Sequence, residues 1–316
     1  MMLEPQAKTT FPRIVFMGTP EFAVASLDAL VKAGYNIVGV VTAPDKPAGR
    51  GMKLSGSAVK QYAQEHGLHL LQPEKLKNTA FIEELKLLHA DLQVVVAFRM
   101  LPEIVWNMPP LGTINVHGSL LPQYRGAAPI NWAVINGEPE TGVTTFKLQH
   151  EIDTGNILLQ ERLEIAENET AGEVHDRMKE TGAALLVKTV DGIINGTIHE
   201  IPQESIETAR LKHAPKIFTE NCRIDWLQTT SHIHNLIRGL SPFPGAFTTF
   251  DNKILKIFRS RKIAEAAVVP GSIHSDGKTF LRFAATDGWI DILELQLEGK
   301  KRMLTTDFLR GYKIPL

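Results

Sequence analysis

Apolar and polar positions along the chain follow two alternating periods. Arg13 to Met17 (RIVFM) is a short β-rich apolar run closed by Gly18-Thr19-Pro20. Glu21 to Ala33 then carries Phe22, Leu27, Leu30 and Val31 at helical spacing, with Gly34 placed to stop the helix. The same reading predicts strands at Ile37 to Val41 and Leu92 to Phe98, and helices over Ser57 to His66 and Thr79 to Leu88. Strands at Thr141 to Leu148 and Ile157 to Ile165 and a long helix over Ala171 to Ile194 extend the series. Strand and helix alternating at this length imply an α/β domain, a Rossmann-like, mostly parallel sheet covered on both faces. Sites in such sheets lie beyond the carboxyl ends of the strands.

After Gly196 the pattern turns polar and irregular as far as Pro215, which reads as a linker. Short strand-like runs follow at Ala246 to Phe250, Ile254 to Ser260, Leu281 to Ala285 and Trp289 to Leu295, separated by Pro, Gly and Asp turns. That is the pattern of a small OB-like β-barrel, a fold that commonly binds nucleic acid. The expected organisation is a flexible tail over 1–12, an α/β domain over 13–196, a linker over 197–215 and a barrel domain over 216–316.

Composition narrows the class. With 316 residues, 43% hydrophobic and 22% charged, the chain is an ordinary globular one. No apolar run approaches the roughly 18–20 residues of a membrane span. Met1 to Pro12 has no apolar h-region, so a frayed tail is expected there rather than a secretory signal. A single cysteine, Cys222, excludes an internal disulfide and fits a reducing, cytoplasmic compartment. The net charge of −1 hides a split. From Ala209 onward there are 17 Lys and Arg against 10 Asp and Glu, and the rest holds 17 against 25. A split of this kind suggests that the basic part meets a polyanion, although unevenly spread solvated charge is the plainer reading of charge alone.

Candidate chemistry is densest between Leu111 and Pro129. Asn115 and His117 alternate with Ile114 and Val116, so on a strand the amide and the imidazole share one face. On pattern alone His117 reads as well as a satisfied structural residue. His150-Glu-Ile-Asp153-Thr-Gly155 reads on pattern alone as a turn. The stretch Ala43 to Gly56 holds Lys46, Arg50 and Lys53 against one acid, Asp45, and reads as a mobile surface loop. Gly18-Thr19-Pro20 follows the first strand, but GxGxxG is absent. Pro20 and Glu21 stand where a pyrophosphate would need open backbone, so no nicotinamide cofactor is expected. There is no HExxH pattern, and His232-x-His234 does not make a metal site, so no metal is expected.

These residues resemble the 10-formyltetrahydrofolate-dependent formyltransferases. The resemblance rests on Asn115-x-His117, on Ser119-Leu120-Leu121-Pro122 and on Asp153 in its Asp-Thr-Gly turn. It is nearest to the family's tRNA-acting members, through Phe16-Met-Gly-Thr-Pro-Glu-Phe-Ala, Pro44-Asp-Lys-Pro-Ala-Gly-Arg-Gly, Arg223-Ile-Asp-Trp226 and Gly299-Lys-Lys-Arg-Met303. It implies a catalytic domain over 13–196 and a tRNA-binding domain over 216–316. Where the family commonly has Ala-Tyr-Gly after the third core strand this chain has Ala97-Phe98-Arg99, so folate contacts there differ in detail.

The implied reaction moves a formyl group from 10-formyltetrahydrofolate to the α-amine of methionine on initiator tRNA. Such a transfer needs only charge stabilisation and proton handling, so no metal is expected. With no membrane partner and no amphipathic or apolar stretch that demands self-association, a monomer is expected. Asn115, His117 and Asp153 are the implied catalytic set: Asn115 and His117 as donors to the developing oxyanion, and Asp153 as the group that orients or ionises the imidazole. Which of His117 and Asp153 is the base stays open. Ser119, Leu120, Leu121 and Pro122 are the implied folate-binding residues. Lys46, Arg50, Lys53, Lys300, Lys301 and Arg302 are the implied tRNA contacts. Two other readings compete. A formyltransferase or formyl-folate hydrolase acting on a small molecule, such as a sugar nucleotide, leaves the Lys46–Lys53 loop and the basic C-terminal part idle. A non-enzymatic RNA-binding module leaves the Asn/His/Asp set unexplained.

Overall fold

The apolar runs of the N-terminal half come together as one seven-stranded sheet. The structure, a computed structural model, describes residues 12–48, 53–206, 210–265 and 269–313. The sheet order is Ile157–Glu164, Glu140–Lys147, Thr113–His117, Leu92–Val96, Arg13–Gly18, Asn36–Val41, Leu70–Leu71. The five strands from Thr113–His117 to Leu70–Leu71 are mutually parallel, and Glu140–Lys147 runs antiparallel to Thr113–His117. Ile14, Val15, Phe16 and Met17 of the central strand are all fully buried. An uninterrupted apolar run is what a strand covered on both faces requires.

The helices begin and end where the sequence supplies caps. Ser57 accepts from the Lys60 amide at the start of Ala58–Glu65, and Asn78 accepts from the Ala80 amide before Thr79–Leu87. Glu21–Lys32 ends at Gly34, which sits at φ 79 while the Gly34 and Tyr35 amides turn back to the Val31 and Leu30 carbonyls. The long helix spans Ala171–Ile194, as its periodicity predicts. The strand expected to reach Phe98 stops at Val96, because Ala97 leaves the extended region for φ 47.

The chain divides into two compact units. The first holds the chain up to Arg125 with Gly142–Leu163 and Asp176–Lys212; the second holds Gly126–Thr141, Glu164–His175 and the chain from His213 onward. Residues 197–212, polar and irregular in sequence, thus belong to the first unit. In the second, the order Ala246–Phe250, Lys253–Ile263, Trp289–Leu297, Leu281–Ala284, Ile273–Ser275 makes an antiparallel half barrel, with Met303–Leu304 paired to Trp289–Leu297. Asp251 and Asn252 connect the first two strands at φ 49 and 57, the two-residue turn whose twist matches the hairpin. Leu255, Ile257, Phe283, Ile290, Ile292 and Leu295 fill the interior, against Ile233 and Ile237 of the Thr230–Gly239 helix. Cys222 is buried in this core, and burial pushes its thiol pKa up. No described helix is long and apolar enough to cross a membrane.

Candidate active site

The Thr113–His117 strand carries Asn115 and His117 two residues apart, on the side of the strand's carboxyl end in the parallel sheet. Asn115 stands between Val95 of one neighbouring strand and Phe146 of the other. Its side chain is half-buried, and it makes no hydrogen bond among the described residues. An amide at this position with nothing to hold is free to donate to a bound group.

His117 is buried, and both of its ring nitrogens are directed. Nε2 lies 2.9 Å from the carbonyl oxygen of Tyr124. A carbonyl can only accept, so Nε2 carries a proton and donates. Nδ1 is therefore the nitrogen that gains or loses the second proton, and it faces the Asp153 carboxylate at 3.9 Å. That distance suits an ion pair and exceeds a direct hydrogen bond. The ring is also held edge-on by Phe146, with centroids 6.4 Å apart.

Asp153 reaches this position on an unusual backbone. It adopts φ 55, a left-handed conformation uncommon for residues with a Cβ and most readily taken by Asn and Asp. Two residues on, a Cβ at Gly155 would lie 1.6 Å from the Lys147 carbonyl oxygen, so only glycine fits. Gln203, 3% exposed, donates its amide to the Asp153 and Gly155 carbonyls at 2.9 and 2.8 Å. Sequence reasoning missed Gln203, since it lies in a stretch that reads as linker and a lone glutamine in such a stretch carries no pattern.

Ser119 to Pro122 form the loop that follows His117. The Ser119 hydroxyl donates to the Gln123 carbonyl at 2.6 Å, and the Ser119 carbonyl accepts from Thr144 Oγ1 at 2.6 Å. The Leu121 amide donates to Thr144 Oγ1 at 3.1 Å, and Gln160 donates to the Leu121 carbonyl at 2.9 Å. Leu120 packs where a Cβ at Gly142 would come within 2.5 Å of it. Ser119, Leu121 and Pro122 are buried. These hydrogen bonds hold the loop rigid beneath His117. After the third core strand, the Arg99 guanidinium donates to the Glu74 carbonyl at 2.8 Å and to that of Pro73, and it lies 5.5 Å from the Phe98 ring.

The basic residues behave unequally. Ala43 to Gly56, expected as a loop, contains a short antiparallel hairpin that pairs Lys46–Ala48 with Lys53–Ser55. Lys46 is exposed, Arg50 lies outside the described residues, and Lys53 occupies the returning strand. Asp45, the only acid of this stretch, is paired with Lys60 at 2.5 Å and accepts from Gln72 at 2.9 Å. The Lys60 bond first, then Gln72, holds its carboxyl below the usual range. In the second unit Lys300 and Lys301 are exposed and form no ion pair among the described residues. Arg302 differs: its guanidinium forms a bidentate pair with Glu294 at 2.7 and 2.6 Å and lies 4.3 Å from the Phe258 ring. Its charge is largely spent inside the unit.

The site so described has an uncommitted amide, an imidazole with one variable proton and a carboxylate facing it. It can stabilise charge on a carbonyl oxygen and accept a proton from an attacking nucleophile. The chain belongs to the formyl transferase family. The family model for formyl transferase matches residues 12–190, and that for the formyl transferase C-terminal domain matches 216–313. Among its relatives, the methionyl-tRNA formyltransferase of Bacteroides fragilis is 56% identical over 309 residues, spanning 96% of this chain and 95% of that protein. The methionyl-tRNA formyltransferase of Parabacteroides distasonis is 58% identical over 95% of this chain and 96% of its own. Among solved structures, the sugar 3N-formyl transferase WlaRD has a TM-score of 0.67 at 22% identity, covering 92% of this chain and 98% of that one. HypX from Aquifex aeolicus has a TM-score of 0.65 at 18% identity, over 96% of this chain and 48% of that one. At these identities the solved structures share the fold.

Proposed function

We propose that this chain transfers the formyl group of 10-formyltetrahydrofolate to the α-amine of methionine carried by initiator tRNA, a step of translation initiation. One observation carries the reading: identity of 56% over nearly the whole chain to a methionyl-tRNA formyltransferase, in a chain where Asn115, His117 and Asp153 lie together. Bound folate supplies the activated formyl carbon. The free Asn115 amide at the sheet's carboxyl end fits a ligand whose carbonyl oxygen must accept a hydrogen bond.

The residues divide the work. Asn115 donates to the formyl oxygen as its charge develops, a contribution typically worth about 100–1000-fold in rate. His117 acts through Nδ1, because Nε2 is spent on the Tyr124 carbonyl. Nδ1 takes the proton released by the attacking amine, directly or through one water. The resulting imidazolium directs one N–H at Tyr124 and the other at the Asp153 carboxylate, and its Nδ1 proton passes to the folate N10 as the bond from the formyl carbon to N10 breaks. Asp153 stabilises that cation and orients the ring. The gap of 3.9 Å closes in the complex or holds the bridging group. Ser119, Leu120, Leu121 and Pro122 shape the floor against which folate is held.

Residues 13–196 form the catalytic domain and 216–316 the tRNA-binding domain, joined by 197–215, of which the part up to Lys212 belongs to the first compact unit. The family boundaries at 12–190 and 216–313 support this division. Lys46 and Lys53 on the hairpin strands and Arg50, outside the described residues, with Lys300 and Lys301 on the half barrel, contact the tRNA backbone. The protein works as a cytoplasmic monomer. A buried Cys222 thiol suits a reducing compartment, and one chain supplies the whole catalytic set.

The test is direct. Protein incubated with 10-formyltetrahydrofolate formylates methionine-charged initiator tRNA and discriminates against charged elongator tRNA. Formylation of neither overturns the proposal, and formylation of an amino-sugar nucleotide instead assigns the site to a small acceptor.

A further inference from the structure

The turn that carries the carboxylate facing His117 is held by groups that take no part in the chemistry. Asp153 sits at φ 55, and within the turn that carries it Thr154 Oγ1 donates to the Glu151 carbonyl. Residues 200–203 brace this turn from outside. Ile201 exchanges both backbone hydrogen bonds with Ile157, at 2.8 and 2.9 Å. Glu200 accepts from Lys147 at 2.5 Å and from Asn156 at 3.0 Å. Gln203 completes the strap. Its Nε2 donates to the carbonyls of Asp153 and Gly155, on either side of Thr154. Its Oε1 accepts from Arg125 Nε at 2.9 Å and from Arg125 Nη2 at 2.6 Å.

All of the principal hydrogen-bonding capacity of this buried amide is used, and only one orientation satisfies it. The carbonyls demand the NH2 end, and the guanidinium demands the oxygen. A glutamate at this position keeps the arginine and loses both donors. An asparagine is one methylene too short to span the two partners. A general packing role requires none of this selectivity.

We propose that Gln203 is a positioning residue for formyl transfer. Braced by Arg125, it sets the backbone of the 153–155 turn and thereby aims the Asp153 carboxylate at His117 Nδ1. This rests on the reading of Asp153 given above. A misplacement of about 1 Å at a catalytic group can cost on the order of 100-fold in rate. Displacing the turn therefore lowers kcat and leaves substrate binding alone.

Steady-state kinetics of the full chain with 10-formyltetrahydrofolate and methionine-charged initiator tRNA test it. Gln203→Met keeps length and volume without the donors, and Gln203→Glu keeps the pair with Arg125. Both are expected to lose roughly 10–100-fold in kcat, with KM for either substrate within about twofold of the parent. In an Asp153→Asn background, Gln203→Met is expected to change kcat by less than about threefold, because the group it positions is already lost. An unchanged kcat, a loss expressed in KM, or losses that multiply in the double variant overturn the proposal. If both Gln203 variants fail to fold, Arg125→Lys, which removes the two-donor fork and keeps the charge, is read by the same criteria. Turnover at the parental rate by Asp153→Asn alone overturns the reading beneath it, and this proposal with it.

Discussion

Among single side chains, hydrogen-bond bookkeeping assigns the roles. Asn115 and His117 share a strand face, yet one is uncommitted and the other is held on both sides. Removing an uncommitted group leaves no orphaned partner behind, so its loss is seen in rate and not in stability. Asn115→Ala is accordingly expected to lower kcat by about 100–1000-fold with an unchanged melting temperature. A parallel fall in melting temperature would make the amide structural. The alternation TINVH was enough to place both residues on one face. It did not show which imidazole nitrogen is variable, because that depends on a Tyr124 carbonyl brought back by the following loop. In the same way, the run Lys300-Lys301-Arg302 reads as three equal cations. The fold neutralises the third through Glu294, which sits on a neighbouring strand.

Among elements, the turn at 150–155 and the strap at 200–203 stand or fall together. Gly155 approaches the Lys147 carbonyl more closely than any Cβ permits, so Gly155→Ala is expected to destabilise the protein by at least about 1–3 kcal/mol. Urea unfolding measures this as a lowered midpoint at constant m. Lys147 first, then Asn156, holds the Glu200 carboxyl below the usual glutamate range. A depressed folded value means the carboxylate adds stability above its unfolded pKa and loses it as pH falls through the folded one. The melting temperature of Glu200→Gln should therefore lie below that of the parent at pH 7. The two should converge as the pH drops below about 4; a difference independent of pH would deny the ion pair any role. Secondary structure was legible where periodicity and caps agree: the helices at Glu21–Lys32 and Ala171–Ile194 lie within one residue of their sequence-based limits. The strap was not legible, because an isolated bridge and one glutamine leave no period.

For the whole molecule, charge is the property that survives averaging. The basic excess beyond Ala209 falls on a half barrel whose Lys300 and Lys301 stay exposed, whereas Arg259, Arg261 and Arg302 are paired with Glu173, Asp291 and Glu294. Binding of tRNA should then weaken with salt, and each phosphate contact removed should flatten the slope of log K against log salt by about 0.7–0.9. Lys300→Ala with Lys301→Ala is expected to flatten it, and Arg302→Ala to leave it nearly unchanged. Equal effects of all three would mean that the Glu294 pair opens on binding. The order of apolar runs, the absence of a dinucleotide fingerprint and the spacing of Asn115 and His117 were written in the linear chain, because they depend on neighbours within a few residues. The approach of Asp153 to His117, the clamp of Gln203 and Arg125 on its turn, and the loss of Arg302 as a free cation arise between residues tens of positions apart or on different strands. Only the folded chain brings those groups together, and no local period encodes it.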